Sequence, residues 1–210
     1  MDISPYDSIL IGQSYAKYKK AWDIPQYRED SAGERYAKTV IAELGMKKGS
    51  TVLDLGCGTG KASKIMCKKG LSVHGIDIAD NSLNEEMKEM RSFKFTQQCL
   101  WKLDEVAPAD YIYCANVMEH IPENLVHATL FQIDRNMTKS GFFSISTSVD
   151  SFGPEHLSQQ MHLTVRDGRW WADQMMRYWL ILLSGHVNWV RYAPYMLKTV
   201  NWCFIFKKKF

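Results

Sequence analysis

The stretch Thr51-Val-Leu-Asp-Leu-Gly-Cys-Gly-Thr-Gly60 decides the fold of this chain. Its first half, Thr51–Leu55, is β-branched and apolar with one carboxylate, which predicts a short buried strand. Glycines follow at 56, 58 and 60, and residues 61–69 have a helical pattern. Glycines after a strand let a ligand approach the backbone because no Cβ atoms obstruct it, and the helix N-terminus adds free N–H groups. Position 61 is Lys, so this is not the dinucleotide fingerprint G-x-G-x-x-G.

The string V-L-D-L-G-C-G-T-G resembles motif I of class I S-adenosylmethionine (SAM)-dependent methyltransferases. The resemblance covers roughly residues 35–207 and implies an α/β fold. That fold is a Rossmann-like, seven-stranded, mostly parallel sheet with helices on both faces and a final antiparallel pair of strands. We expect a SAM-binding methyltransferase domain over 35–210, preceded over 1–34 by a helical segment. That segment is either a lid or cap over the cofactor pocket or a helix packed on the sheet edge.

The bulk composition fits one globular domain. The chain has 210 residues, 46% of them hydrophobic, and a formal net charge of +3, which does not by itself indicate a polyanionic partner. Its five cysteines are odd in number and include no C-x-x-C pair, which favours reduced thiols in a cytoplasmic protein. The N-terminus lacks a signal-peptide pattern, and no apolar run approaches the roughly 18 residues of a membrane span. We therefore expect a cytoplasmic protein with no membrane partner.

Periodicity predicts alternating helices and strands along the chain. The predicted strands are 51–55, 72–77, 93–98, 110–115, 142–147, 187–192 and 199–206. The predicted helices are 13–21, 31–44, 61–69, 81–92, 123–137 and 168–183. Ser31 and Glu34 form a capping box, which predicts where the second of these helices begins.

Strand ends define the candidate cofactor residues. Asp77 ends the second predicted strand about 20 residues beyond the glycines, where a carboxylate can accept hydrogen bonds from both hydroxyl groups of a ribose. The acid that the family often carries after the third strand is missing, because Cys99 follows two glutamines. Backbone groups and the apolar walls of Leu100 and Trp101 are therefore expected to hold the adenine. The full set expected to bind the cofactor is Asp54, Gly56, Cys57, Gly58, Gly60, Asp77, Ile78, Leu100, Trp101 and Asn116.

The acceptor side is expected after the fourth and fifth strands, whose carboxyl ends share one sheet edge. The loop V-M-E-H-I-P, residues 117–122, resembles a motif of quinone-biosynthesis O-methyltransferases and of small-RNA 2′-O-methyltransferases. It makes Glu119 and His120 catalytic candidates, and His162 joins them from just before a helix. The three could hold a divalent metal, or serve as base and orienting group. The position where the family motif begins with a Glu is occupied by Asn116 here, which weakens the metal interpretation. A structural pair that caps the next helix remains an alternative for Glu119 and His120.

The residues therefore favour a SAM-dependent methyltransferase that acts on a small-molecule acceptor, with oxygen as the preferred atom. The paired-Glu loop of arginine methyltransferases and the signature motifs of DNA methyltransferases are absent. An RNA 2′-O-methyltransferase is the alternative within the class, so a nucleic-acid partner stays open but is not favoured. Two further alternatives are a catalytically silent SAM-binding subunit and an enzyme that cleaves SAM. The oligomeric state and the identity of the acceptor are left open.

Overall fold

The computed structural model of the chain describes residues 5–29, 33–186 and 201–209. Its α-helices are α1 Pro5–Trp22, α2 Pro25–Glu29, α3 Glu34–Glu43, α4 Lys61–Lys68, α5 Glu85–Lys88, α6 Val126–Arg135, α7 Phe152–Leu157 and α8 Gly168–Met175. Its strands are β1 Thr51–Leu55, β2 Ser72–Asp77, β3 Phe93–Gln97, β4 Ala109–Ala115, β5 Met137–Ser146, β6 Trp179–His186 and β7 Asn201–Lys208. Short 3₁₀ turns at Met118–His120 and Glu123–Leu125 connect β4 to α6.

The described strands form one sheet in the order β3-β2-β1-β4-β5-β7-β6. Strands β1 to β5 pair in parallel, whereas β7 lies antiparallel to both β5 and β6. The predicted fold class, a Rossmann-like sheet with an antiparallel C-terminal edge, is confirmed. The order reverses between β1 and β4, and ligands of open α/β sheets bind at the carboxyl ends of the strands at such a point. No helix in the described part of the chain is long and apolar enough to cross a membrane.

Alternating side chains of the strands supply two cores, one on each face of the sheet. Val52 belongs to the core that α3 and α4 cover, where Tyr36 and Met66 are fully buried. Leu53, its neighbour in sequence, belongs to the core on the opposite face, which α6 and α8 cover. Both faces of β1 are therefore buried, and the glycine loop follows directly at its carboxyl end.

The predicted helix 168–183 is wrong beyond Met175, because Trp179–His186 is strand β6. The apolar run that suggested a helix face instead pairs antiparallel with β7. Trp179 is fully buried and stacks on Phe206 of β7, with ring centroids 4.4 Å apart. The predicted strand 187–192 lies outside the described residues.

Other predicted boundaries shift by less. Helix α1 is longer than the predicted 13–21, and only Glu85–Lys88 of the predicted helix 81–92 is helical. The predicted helix 123–137 opens as a 3₁₀ turn and ends at Arg135, so that Met137 already belongs to β5. Helix α3 begins at Glu34 after Gly33, while the proposed cap Ser31 lies outside the described residues.

Candidate cofactor and acceptor site

The glycine loop is held against the end of β2. The N–H groups of Gly56 and Cys57 both donate to the carbonyl oxygen of Ile76, at 2.7 and 3.0 Å. Gly58 N donates to Asp77 Oδ2 at 2.9 Å, and Ala79 N donates to Asp77 Oδ1 at 3.0 Å. Gly56 and Gly58 have φ values of 68° and 51°, in the left-handed region that glycine adopts at little cost. The loop and the carboxylate thus fix each other's position.

Two buried carboxyl groups flank this loop. Asp77 is only 6% exposed, and burial raises its pKa to about 6. Burial also raises the pKa of Asp54 to about 7, although Ser63 Oγ donates to it at 2.6 Å. An acid that stays partly protonated near neutral pH is stabilised by any ligand that donates hydrogen bonds to its charged form. Both positions therefore favour a ligand rich in hydroxyl or ammonium donors.

Two cavities open beside the loop. The large chamber, of about 520 Å³, includes Asp54, Cys57, Gly58, Tyr113, Asp150, Phe152 and His162 in its lining. The narrow chamber, of about 90 Å³, includes Tyr18, Asp77, Ile78, Leu100 and Trp101. Asp77, Ile78, Leu100 and Trp101 thus line the narrow chamber, and His120 and His162 line the large one.

Five residues line both chambers and form what we call the junction, namely Trp22, Tyr27, Gly56, Asn116 and His120. Asn116 has a φ of 57°, unusual for a residue with a side chain, and its Oδ1 accepts from Ser144 Oγ at 3.2 Å and from Asn201 Nδ2 at 3.0 Å. Such backbone strain is typical of functional sites, where surrounding contacts hold it in place. A ligand that extends from one chamber into the other passes through the junction.

The N-terminal segment covers the glycine loop. A Cβ atom on Gly58 would lie 2.6 Å from Trp22 Cη2, so an indole ring lies in close contact with the loop where a ligand was expected. Sequence reasoning did not identify Trp22, Tyr27 or Tyr18 as site residues. One helix face lines the narrow chamber through Ser14, Tyr18 and Trp22, which are spaced four residues apart. This spacing is the signal that could have identified the face from the sequence.

Polar contacts hold the same segment to the turn after β2. Arg28 Nη1 donates to the carbonyl oxygen of Asn81 at 2.8 Å, and Arg28 Nη2 donates to Asn84 Oδ1 at 2.9 Å. Asn81 Nδ2 donates to Asp23 Oδ1 at 2.9 Å. The segment is therefore held over the loop by side chains rather than by sheet pairing.

Glu119, His120 and His162 converge although His162 is about 40 positions further along the chain. One ligand atom from each lies within 4.8 Å of the others, and the two imidazole centroids are 4.9 Å apart. The loops after β4 and β5 bring them together, as the topology predicts. This distance is compatible with a divalent ion or with a relay of hydrogen bonds.

The two histidines are oriented alike. Nδ1 of His162 lies 2.7 Å from the carbonyl oxygen of Ser148, and Nδ1 of His120 lies 3.1 Å from that of Met161. A carbonyl oxygen only accepts, so each Nδ1 carries the hydrogen and each neutral ring has its lone pair on Nε2. Burial, together with the neighbouring His162, lowers the pKa of His120 to about 3. His120 is therefore neutral at physiological pH.

Glu119 is more enclosed than either histidine. Its side chain is fully buried, Oε1 accepts from Ser146 N at 3.1 Å, and Oε2 has no hydrogen-bond partner among the described residues. Burial raises its pKa to about 8. Its backbone oxygen accepts from Leu163 and Thr164 at 2.8 and 3.0 Å, which joins the two loops. Glu119 lines neither chamber.

Two other predicted residues of the glycine loop have distinct surroundings. Cys57 lines the large chamber, but burial raises the pKa of its thiol well above the usual value, which makes it a poor nucleophile. Gly60 precedes α4, and a Cβ there would lie 2.7 Å from Met87 Cγ. Its place in the structure is one of close packing between α4 and α5.

The sheet order, the glycine loop and the buried acid after β2 together define a class I methyltransferase fold. In agreement, a family model described as a methyltransferase domain matches residues 27–193 of the 210. The chain belongs to this methyltransferase-domain family, as the resemblance of motif I predicted.

Relatives with assigned roles are similar over part of their length. The chain is 26% identical over 153 residues to trans-aconitate 2-methyltransferase of Agrobacterium fabrum, covering 71% of this chain and 58% of that protein. It is 32% identical over 119 residues to ubiquinone biosynthesis O-methyltransferase of Nitrosomonas europaea, covering 52% of this chain and 48% of that protein. The chain thus spans about half of the length of such relatives.

Solved structures share the fold. The 1,6-didemethyltoxoflavin-N1-methyltransferase of Burkholderia thailandensis, solved with 1,6-didemethyltoxoflavin and S-adenosylhomocysteine, has a TM-score of 0.68. It is 18% identical in sequence, and the match covers 100% of this chain and 92% of that one. The match extends through the C-terminal edge of the sheet, where the sequence-based element boundaries were wrong.

Proposed function

We propose that the protein is a SAM-dependent methyltransferase that transfers a methyl group to an oxygen atom of a small molecule. One observation carries the proposal. The buried Asp77 carboxylate ends β2 while it accepts from Gly58 and Ala79, so it faces the narrow chamber beside the glycine loop. The names of the relatives and the S-adenosylhomocysteine bound to a structural neighbour support the same class.

The residues of the narrow chamber fit the adenosine portion of this cofactor. The Asp77 carboxylate accepts from the backbone N–H groups of Gly58 and Ala79 and retains lone-pair capacity for a ribose hydroxyl. Two buried donors of the chamber, Tyr18 Oη and Trp101 Nε1, have no partner among the described residues, as expected for groups that a ligand satisfies. When bound, SAM supplies an electrophilic methyl group on a sulfonium.

The N-terminal segment 1–34 serves as the lid of this site, in front of a methyltransferase domain at 35–210. The narrow chamber, at about 90 Å³, is much smaller than the roughly 300–1,000 Å³ of typical ligand pockets. Entry of an adenosine therefore requires Tyr18 and Trp22 to move away from the glycine loop. The side-chain contacts of Arg28 and Asp23 are among those that break in such an opening.

The large chamber favours an uncharged or weakly charged small acceptor. Its lining within the described residues includes the rings of Trp22, Tyr27 and Phe152 and no Lys or Arg. Without a cation in that lining, a phosphate-rich or multiply charged acceptor lacks a counter-charge, which disfavours RNA as the substrate. An aromatic molecule that carries a hydroxyl group matches both the rings and the histidines.

His162 is the general base of this proposal. It lines the large chamber, and its Nδ1 contact with Ser148 leaves the Nε2 lone pair to accept a proton from an acceptor hydroxyl. His120 is less suited, because a ring with a pKa of about 3 does not retain a proton at neutral pH. Asp150 stabilises positive charge on His162. Burial alone would raise the pKa of Asp150, but its backbone hydrogen bonds and the nearby imidazole lower it, so it stays charged.

A divalent metal held by Glu119, His120 and His162 is the alternative use of the cluster. Imidazole nitrogens and a carboxylate suit such an ion, and the fixed Nδ1–H contacts would orient both rings toward it. As a metal ligand Glu119 would have to be ionised, whereas its burial favours the protonated form and raises its pKa to about 8. In the metal-free version Glu119 stays protonated, whereas a bound cation would stabilise its ionised form.

Mass spectrometry after incubation with SAM and a panel of phenolic acceptors tests the proposal. Formation of S-adenosylhomocysteine together with a methylated phenol is the expected result. Methylthioadenosine would indicate a SAM-cleaving enzyme, and SAM that stays intact with every acceptor would favour a silent binding subunit. A reducing compartment such as the cytoplasm is the proposed location, since all five cysteines are free thiols.

A further inference from the structure

The N-terminal segment supplies the aromatic part of the junction. The rings of Trp22 and Tyr27 meet edge to face with centroids 4.6 Å apart, and Phe152 extends the row, with its centroid 5.1 Å from that of Tyr27. Trp22 and Tyr27 line both chambers, whereas Phe152 lines only the large one. The lid thus contributes two π-systems to the point where the chambers meet.

The chemistry of a ligand that spans both chambers decides what these rings can recognise. In SAM the sulfonium stands between the adenosine and the amino-acid portion, so a molecule with its adenosine beside Asp77 has its middle atoms at the junction. Transfer of the methyl group turns this cation into the neutral thioether of S-adenosylhomocysteine. Aromatic faces attract cations through their quadrupole, and a neutral thioether loses this attraction and keeps only the weaker contact between sulfur and the ring.

We propose that Trp22 and Tyr27 form an aromatic wall that favours the sulfonium of SAM over the thioether of S-adenosylhomocysteine. This inference rests on the proposed function and deepens it, because it makes the lid distinguish the charged form of the cofactor from the neutral one. The wall would hold the substrate form in the closed site and weaken binding of the product form. Selective retention of the charged form limits inhibition by the product.

The surrounding groups do not oppose a cation at the junction. His120, the titratable residue of the junction besides Tyr27, has its Nδ1 fixed 3.1 Å from the carbonyl oxygen of Met161. Lys17 lines neither chamber, and where its positive charge acts on His120 the negative charge of Asp150 opposes it. The carboxyl groups of Asp77 and Asp150 line the chambers on either side. The aromatic wall therefore faces a region with acidic rather than basic neighbours.

Calorimetric titration with SAM and with S-adenosylhomocysteine tests the inference on three forms of the full chain. Trp22→Leu keeps apolar contact but removes the π-face, and Trp22→Phe keeps a ring and is the matched control. We expect Trp22→Leu to weaken SAM binding about tenfold and S-adenosylhomocysteine binding by at most about twofold. Trp22→Phe should keep most of the wild-type preference for SAM.

Tyr27→Leu provides a second variant, because Trp22 is buried and its replacement by Leu can impair folding. An equal loss of affinity for the two ligands in the folded variants, or no loss for either, would overturn the inference. Either result would leave the proposed function intact, since the wild type would still bind SAM. A wild-type chain that binds neither ligand would instead overturn the proposed function itself.

Discussion

Replacing Glu119 by Gln should remove a pH-dependent cost to the stability of the fold. Burial raises the pKa of Glu119 from its usual value near 4.5 to about 8, so the folded chain keeps a proton that the unfolded chain releases. The free energy of unfolding therefore falls as the pH rises between these two values. Gln resembles the protonated form, since its Oε1 can still accept from Ser146 N and it never ionises.

The size of this effect follows from the shift. Each pKa unit corresponds to about 1.4 kcal/mol. Because Glu119 stays protonated in the folded chain, the free energy of unfolding falls by ~3 kcal/mol between pH 4.5 and pH 7. The Gln variant should gain about that much over wild type between these pH values. Other groups that titrate in this window, such as Asp54 and Asp77, are present in both proteins and cancel in the difference.

Urea denaturation of both proteins at pH 4.5, 6 and 7 measures the difference, with the exposed Glu105→Gln as the matched control for loss of one carboxylate. A difference that does not change with pH would refute the buried, protonated state of Glu119. A Gln variant that loses stability relative to wild type as the pH rises would do so too, especially if magnesium or manganese stabilises only the wild type. That result would identify Glu119 as an ionised metal ligand.

Three further predictions concern the cofactor and the base. Gly58→Val should weaken S-adenosylhomocysteine binding by about tenfold or more, because the valine side chain would collide with Trp22. Gly45→Val is the control, since Gly45 also has a positive φ but faces open space. Equal titration curves for the two variants would contradict this prediction. Asp77→Asn should cost about 1.5–3 kcal/mol of SAM binding, and wild-type affinity should fall as the pH drops through about 6, where the carboxylate takes up its proton. His162→Ala should lower kcat far more than SAM affinity, with activity unaffected by a chelator; activity that a chelator abolishes and manganese restores would favour the metal version.

The sequence was most informative where local chemistry and backbone geometry coincide. Motif I predicted β1, the glycine loop and the position of α4. A buried strand followed by closely spaced glycines is typical of a tight turn that leads into a helix, and these glycines do have positive φ values. The convergence of Glu119, His120 and His162 followed from topology, since parallel strands place their loops on one edge. These inferences needed only residue type and chain order.

Features that depend on packing between distant segments were missed. Nothing in the apolar run at Trp179 distinguishes a helix face from an edge strand until β7 provides its pairing partner. The role of Trp22 at the glycine loop depends on the path of α1 across the sheet edge, which local periodicity does not specify. The protonated state of Glu119 likewise follows from complete burial, which the loop motif alone does not reveal.

A crystal structure of the chain with S-adenosylhomocysteine tests the central claim most directly. We expect adenosine beside Asp77 and Leu100, with the ribose hydroxyls on the Asp77 carboxylate and the sulfur at the junction between Trp22 and His120. Ligand density away from the glycine loop, or a ribose that does not contact Asp77, would contradict it.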